Sequence, residues 1–362
     1  MSRPHPESLL ERLELQVPII QAPMAGVSSP AMAAAVSNSG GLGSLGVGAM
    51  QAAQARAAIR EFRGMSDGPL NVNVFVHRAA RPDPSREGAW LERLRPEFAR
   101  CHAEPPTQLH EIYTSFLDDE AMLAVLVEER PAVVSFHFGL PHPRQVDKLH
   151  AAGIYLLASA TNLREAESIE AAGIDAVIAQ GFEAGGHRGV FDPDAEDDRL
   201  GTLPLTRLLV GATGLPIIAA GGIMDGAGIA AALALGASAA QLGTAFVGAA
   251  ESLADAAYRE RLFNEPAHHT TMTRVISGRP ARCLANDFTR WGAALPDDRV
   301  VPDYPIAYDA GKALNSAGKL AGQTGYGAHW AGQGAPLARE IPARDLMAAL
   351  KIELAHALRV RA

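Results

Sequence analysis

Cysteine is nearly absent: Cys101 and Cys283 are the only two in 362 residues. Two thiols so far apart in sequence provide neither a disulfide framework nor the clustered ligands of a metal site, and they accord with a reducing compartment. Long blocks of one charge are also missing. The 40 acidic and 32 basic residues leave a net charge of -8, which argues against a nucleic-acid surface and means that an anionic ligand would need local basic groups. No apolar stretch reaches the roughly 18 residues of a membrane span, because Gly or polar residues interrupt the alanine-rich runs. The opening MSRPHPESLLERLEL lacks the apolar core of an export signal, so a cytoplasmic enzyme is expected. Neither an internal repeat nor a low-complexity tail is present.

What the chain does have is apolar residues, 48% of the total, enough to bury a large core. They gather in eight short runs: Pro18 to Pro23, Gly41 to Gly46, Leu70 to Val76, Ala132 to Phe138, Ile154 to Ala158, Ala176 to Gln180, Pro216 to Ile223 and Ala239 to Phe246. Each run is bounded by turn residues and lacks clean two-residue alternation, the pattern of parallel strands covered on both faces. Helical stretches lie between them, with start and stop signals at Ser29-Pro30 and Gly40, at Asn162 with Glu165 and Gly173, and at Asp225 and Gly236. Eight such units predict an α/β fold, a closed (β/α)8 TIM barrel. The pattern breaks after about Ala250. Residues 1–250 with about 327–362 are expected to form the barrel, and about 251–326 a helical appendage without strands that follows the eighth strand and closes the active site. Leu346, Leu350, Leu354 and Leu358 recur at i, i+4, which predicts a helix returning to the barrel. The Pro- and Arg-rich stretch Arg78 to Thr107 reads as an excursion after the third strand.

The last three strands end in glycine and small residues: GFEAGGHRG (Gly181 to Gly189), PIIAAGGI (Pro216 to Ile223) and AAQLGTAF (Ala239 to Phe246). Glycine lets backbone N–H groups approach an anion, so these exits suit a phosphate. Asn73 and Gln180, also at strand ends, carry amides suited to the polar edge of a planar ring. One phosphate and one polar ring together describe FMN. His187, flanked by glycines, is expected to be exposed in its loop with a pKa near neutrality, fit for proton handling or anion contact; His137 is a second candidate. Arg188 is expected in a structural salt bridge.

These residues resemble a known family, the nitronate monooxygenases, formerly called 2-nitropropane dioxygenases, of the bacterial class I type. The likeness runs through QAPMAGVSSPAMAAAVSNSGGLGSLG, NVNVF, SFHFGLP, SATNLREAESIEAAGIDAVIAQGFEAGGHRGVF, AAGGI and QLGTAF, and continues into YPIAYDAGKAL and WAGQGA. It implies an FMN-dependent barrel that oxidises alkyl nitronates with O₂ to a carbonyl product and nitrite, with the anion propionate 3-nitronate as the expected substrate. By that likeness Ala22, Met24, Asn73, Gln180, Gly185, Gly186, Gly221, Gly222, Gln241, Leu242, Gly243 and Thr244 are expected around FMN. His187 is expected to be catalytic, and Tyr113, His137, Tyr304, Tyr308 and Lys312 to surround the substrate. Because a nitronate is already an anion, His187 is expected to donate a hydrogen bond to it; abstracting a proton would be needed only for neutral nitroalkanes. Tyr304, Tyr308 and Lys312 fall at i, i+4, i+8, on one face of a helix expected to begin near Tyr304 with Pro305 in its first turn. A monomer or homodimer is expected. The alternative is an NAD(P)H-dependent flavin reductase, acting on a quinone or an enoyl thioester, on the same barrel. A nucleotide dehydrogenase of the IMP type would need a nucleophilic Cys in a barrel loop, and neither Cys101 nor Cys283 lies near the strand-end glycines.

Overall fold

A computed structural model of the chain describes residues 8–360. Eight parallel strands form the barrel: β1 (Ile19–Gln21), β2 (Gly43–Gly46), β3 (Leu70–Phe75), β4 (Val133–His137), β5 (Tyr155–Ala160), β6 (Ala176–Gln180), β8 (Ile217–Ala220) and β9 (Ala239–Leu242). Their order is β1-β9-β8-β6-β5-β4-β3-β2. The ring closes through a parallel bridge between Ile20 and Leu42, where Gln21 N–H donates to the Leu42 carbonyl at 3.0 Å. All eight expected strands are present, and the fold is the (β/α)8 TIM barrel. Ile20, Leu42, Leu157, Ile178 and Ile218 pack inside it, and Leu9, Leu13 and Leu15 plug its N-terminal mouth. With that end shut by apolar side chains, the C-terminal mouth is left for chemistry.

Helix ends follow local chemistry. Ser29 caps the Pro30–Asn38 helix and Gly40 leaves it at φ 82°. Asn162 Oδ1 accepts from Glu165 N–H at 3.0 Å, but the expected capping box is only half made, because the Glu165 carboxylate turns to the Thr161 N–H and hydroxyl and to Phe191 N–H. The Ala343–Arg359 helix buries Leu346, Leu350 and Leu354 against the barrel helices, whereas Leu358 is 47% exposed, past the end of the surface that the helix covers. Among the described residues no helix is long and apolar enough to cross a membrane.

The region after the ninth strand departs from the expectation of helices alone. β10 (Thr270–Thr273) and β11 (Ala281–Leu284) pair antiparallel there, and β11 also pairs with the two-residue β7 (Gly186–His187). Neither Thr-Thr-Met-Thr nor Ala-Arg-Cys-Leu is an apolar run, so no hydrophobic pattern marks these strands in the sequence. The excursion after β3 contains the Pro84–Arg100 helix, whose Trp90, Leu94 and Phe98 pack with Phe288, Ile306 and Leu314. One apolar cluster thus joins two stretches that lie about two hundred residues apart.

Candidate active site

A cavity of about 520 Å³ opens at the C-terminal mouth of the barrel, within the range of small-molecule and cofactor sites. Ala22, Met24, Asn73, Gln180, Gly185, Gly186, Gly221, Gly222, Gln241, Gly243 and Thr244 line it from the strand ends, and Tyr113, His137, His187, Tyr308 and Lys312 line it from above. Leu242 points into the core between barrel and helices. Tyr304 stands behind the wall, buried, with its ring 5.5 Å from that of His187. Its helix runs from Ile306 to Leu320 with Pro305 as the cap, so Tyr304 precedes the helix instead of sharing a face with Tyr308 and Lys312. Proline lacks the N–H that a residue inside the helix would donate, which suits it to this boundary.

The glycines at the strand exits serve two different needs. Gly221 and Gly222 take φ of 122° and 69°, and Gly186 takes 75°, conformations that other residues rarely adopt. Gly185 is not in that region; a Cβ there would lie 2.4 Å from the Gly332 amide nitrogen. It is required so that the chain can lie against the Trp330–Gly334 segment, whose Gly332 N–H also donates to the Thr244 hydroxyl at 3.0 Å. The helix after Gly243 is a single turn, Thr244–Val247.

His187 is fixed from three sides. Its carbonyl accepts from Gln180 Nε2 at 3.0 Å and from His137 Nε2 at 3.1 Å, and its own Nε2 lies 2.9 Å from the Ser277 hydroxyl. Gln180 Oε1 accepts from Gly189 N–H at 2.7 Å, so this carboxamide spans the two ends of the turn. The loop reading is therefore corrected: His187 belongs to a strand paired to β11, and its ring lies among Phe138, Tyr304, Tyr308 and Trp330. Burial, then the neighbouring His137, Arg279 and His77, holds its pKa well below the ordinary histidine value rather than near neutrality. His137 is likewise neutral, pushed down to about 4 mainly by burial. Both of its ring nitrogens are used within the protein, Nδ1 with Ser159 at 3.0 Å and Nε2 with the His187 carbonyl. Its hydrogen-bonding groups brace His187, and only the ring faces the cavity.

Polar groups remain for a ligand. Asn73 Nδ2 donates to Ser135 at 3.0 Å, and its carboxamide oxygen has no hydrogen-bond partner among the described residues. Gln241 Oε1 is buried without a hydrogen-bond partner among the described residues. At the mouth, exposed Lys312 holds its ammonium 4.9 Å from the Tyr113 ring centroid and 5.5 Å from that of Tyr308. Burial pushes the Tyr113 phenol up to about 12 and that of Tyr308 also upward, so both are neutral donors. Arg188 is buried and pairs through Nε and Nη2 with Asp197 at 2.8 and 3.0 Å, the structural role expected of it.

Sequence reasoning missed Ser277, Arg279 and Tyr258. Tyr258 lines the cavity and donates from its hydroxyl to the Trp330 carbonyl. These residues sit in a segment read as plain helix, where no glycine pattern marked them.

Comparison with known proteins places this geometry. The family model described as nitronate monooxygenase matches residues 7–353. A nitronate monooxygenase of Paraburkholderia phytofirmans is 62% identical over 351 residues, spanning 97% of this chain and 96% of that one. The structure of a nitroalkane oxidase from Streptomyces ansochromogenes superposes with a TM-score of 0.87 at 41% identity, covering 96% of this chain and 98% of the other. FabK from Thermotoga maritima superposes with a TM-score of 0.74 at 29% identity, covering 100% and 99%. A barrel with its mouth roofed by His187 and the tyrosines, matched along nearly its whole length, leads to one conclusion: this chain is an oxidoreductase enzyme that belongs to the nitronate monooxygenase family.

Proposed function

We propose that the protein is an FMN-dependent enzyme that oxidises alkyl nitronates with O₂ to a carbonyl product and nitrite, with propionate 3-nitronate as the expected substrate. The observation that carries this reading is the meeting, in one cavity, of glycine strand exits suited to a phosphate with a lid of neutral phenols and one ammonium suited to a small anion. The residues fit FMN: the positive-φ exits at Gly221 and Gly222 open backbone to a phosphate, the buried and unpartnered Gln241 Oε1 would accept from a polar ring, and Asn73, whose Nδ2 is engaged by Ser135, would offer its Oδ1. When bound, FMN supplies the electron acceptor that links the organic substrate to O₂. The protein's own part is binding and orientation. Tyr113 and Tyr308 donate hydrogen bonds, Lys312 attracts the anion at the mouth, and the aromatic wall around His187 limits water. Because a nitronate already carries the negative charge, no strong base is required.

The likeness to FabK keeps one alternative in view, an NAD(P)H-dependent flavin reductase. Offering the purified protein propionate 3-nitronate and NADH separately, with nitrite release and NADH consumption recorded, separates the two. Nitrite release without NADH consumption is expected; the reverse would overturn the proposal.

A further inference from the structure

The turn between β10 and β11 carries two buried side chains that do not line the cavity yet bear on His187. Gly278, at φ 91°, lets this turn nest against the chain before Tyr304, where a Cβ would lie 2.6 Å from both the Pro302 oxygen and the Tyr304 nitrogen. Ser277 is fully buried. Its Oγ lies 2.9 Å from His187 Nε2, 3.3 Å from the Arg279 carbonyl oxygen and 3.5 Å from the Arg279 amide nitrogen. A hydroxyl has one proton to give and two lone pairs to receive. All three contacts are satisfied together in one arrangement: the hydroxyl donates to the Arg279 carbonyl and accepts from Arg279 N–H and from His187 Nε2–H. If the hydroxyl proton went to His187 instead, the Arg279 carbonyl would lose this donor. His187 Nδ1 has no hydrogen-bond partner among the described residues.

Arg279 is 1% exposed. Its Nη2 donates to the Val190 carbonyl, its Nε has no hydrogen-bond partner among the described residues, and its guanidinium carbon stands 4.2 Å over the Phe138 ring. Among the described residues no carboxylate forms a salt bridge with it, in contrast to Arg188 with Asp197. Phe138 meets the His187 ring edge-on at 5.5 Å and is held at φ 80°, a conformation that aromatic residues rarely adopt. Burial lowers the Arg279 pKa to about 10, which leaves it cationic at neutral pH. A buried, unpaired cation disfavours a second positive charge nearby.

We propose that Ser277 and Arg279 are positioning residues: Ser277 fixes the proton of His187 on Nε2, and Arg279 opposes a second one, so that Nδ1 is presented as a hydrogen-bond acceptor. This deepens the proposed function, on which it rests for the identity of the occupant, and it reverses the expectation that His187 donates to a bound anion. Anion contact then falls to Lys312 and the phenols, and His187 receives hydrogen bonds. The groups packed around the ring are His137 and Phe138 at the end of β4, His77 beyond β3, Tyr304 and Tyr308 beside the Ile306–Leu320 helix, Trp330, and the Ser277–Arg279 turn.

The test is the ring ¹⁵N spectrum of histidine-labelled, FMN-loaded protein between pH 5 and 9, with the His187 signals assigned by their loss in His187→Asn. The wild type is expected to show His187 protonated on Nε2 and uncharged throughout. Ser277→Ala should populate the Nδ1–H tautomer and lower kcat/KM about 10²-fold, while Ser277→Thr, which keeps a hydroxyl, should restore the wild-type spectrum. Arg279→Met should keep the tautomer and bring protonation of His187 up towards the ordinary histidine range, and Arg279→Lys should not. A wild-type ring protonated on Nδ1, or one whose tautomer and titration are the same in Ser277→Ala and Arg279→Met, would overturn the proposal. Should Ser277→Ala fail to fold, the wild-type tautomer and the Arg279 pair decide. The ring spectrum needs no substrate, so a failure to release nitrite would count against the proposed function and leave this result standing.

Discussion

At the scale of single residues the site depends on one imidazole held neutral. Replacing it by His187→Asn should leave the FMN absorbance intact, because the ring contacts Ser277 and an aromatic wall rather than the strand-end glycines. Nitrite formation should fall by about 10²- to 10⁴-fold, the range for a group that handles protons or aligns a substrate. Near-normal turnover would limit the residue to a structural part in the β7–β11 pairing. The depressed pKa adds a pH expectation. Since the folded group takes up a proton only well below its ordinary value, kcat/KM should show no acid limb from His187 between pH 6 and 9. A limb centred near 6.5 would mean that the ring is wetter than its surroundings imply.

At the scale of elements, the short strand pair β7–β11 and the helix from Ile306 bring the lid to the barrel. Gly185→Val should displace the Trp330–Gly334 segment, since even its Cβ would overlap the Gly332 nitrogen; both melting temperature and FMN occupancy should fall. Gly222→Val should act differently, costing FMN through its positive φ and the β-branch at the strand exit. If Gly185→Val melts like the wild type, the close approach of these two segments is dispensable. On the lid helix, Lys312 is exposed, so its attraction is screened by solvent. Lys312→Met should still raise KM for propionate 3-nitronate, with its second anionic group, more than for an alkyl nitronate with an uncharged tail. Equal changes in both KM values would limit the ammonium to the nitro end, and no change would remove it from binding.

For the whole molecule, buried neutral histidines make stability depend on pH. Burial holds His77, His137 and His329 each at about 4. In the unfolded chain they protonate near 6.5, so between 6.5 and 4 the unfolded state binds more protons and stability is lost as the pH falls. Every tenfold difference in proton affinity between the folded and unfolded states is worth about 1.4 kcal/mol. Thermal melts at pH 7.5 and pH 5 should therefore differ by many degrees, the acid sample melting lower. Equal melting temperatures would show that these rings protonate as readily folded as unfolded.

The chain's local chemistry determined the barrel. Eight apolar runs, each ended by turn residues, became eight parallel strands, and Ser29, Gly40, Asn162 and Asp225 bounded helices where expected. Most of the residues around the cavity were legible too, because a strand end in a barrel faces the mouth whatever surrounds it. Tertiary structure alone decided the rest. That His187 is half-buried within an aromatic wall, that His137 spends both ring nitrogens inside the protein and that Leu242 faces the core depend on what packs against them. Ser277 and Arg279 reach His187 through a turn ninety residues away in sequence, held there by the β7–β11 pairing. Local patterns record the period and ends of an element; they carry no trace of a hydrogen bond or a buried charge supplied by a distant segment, because those exist only once the chain has closed.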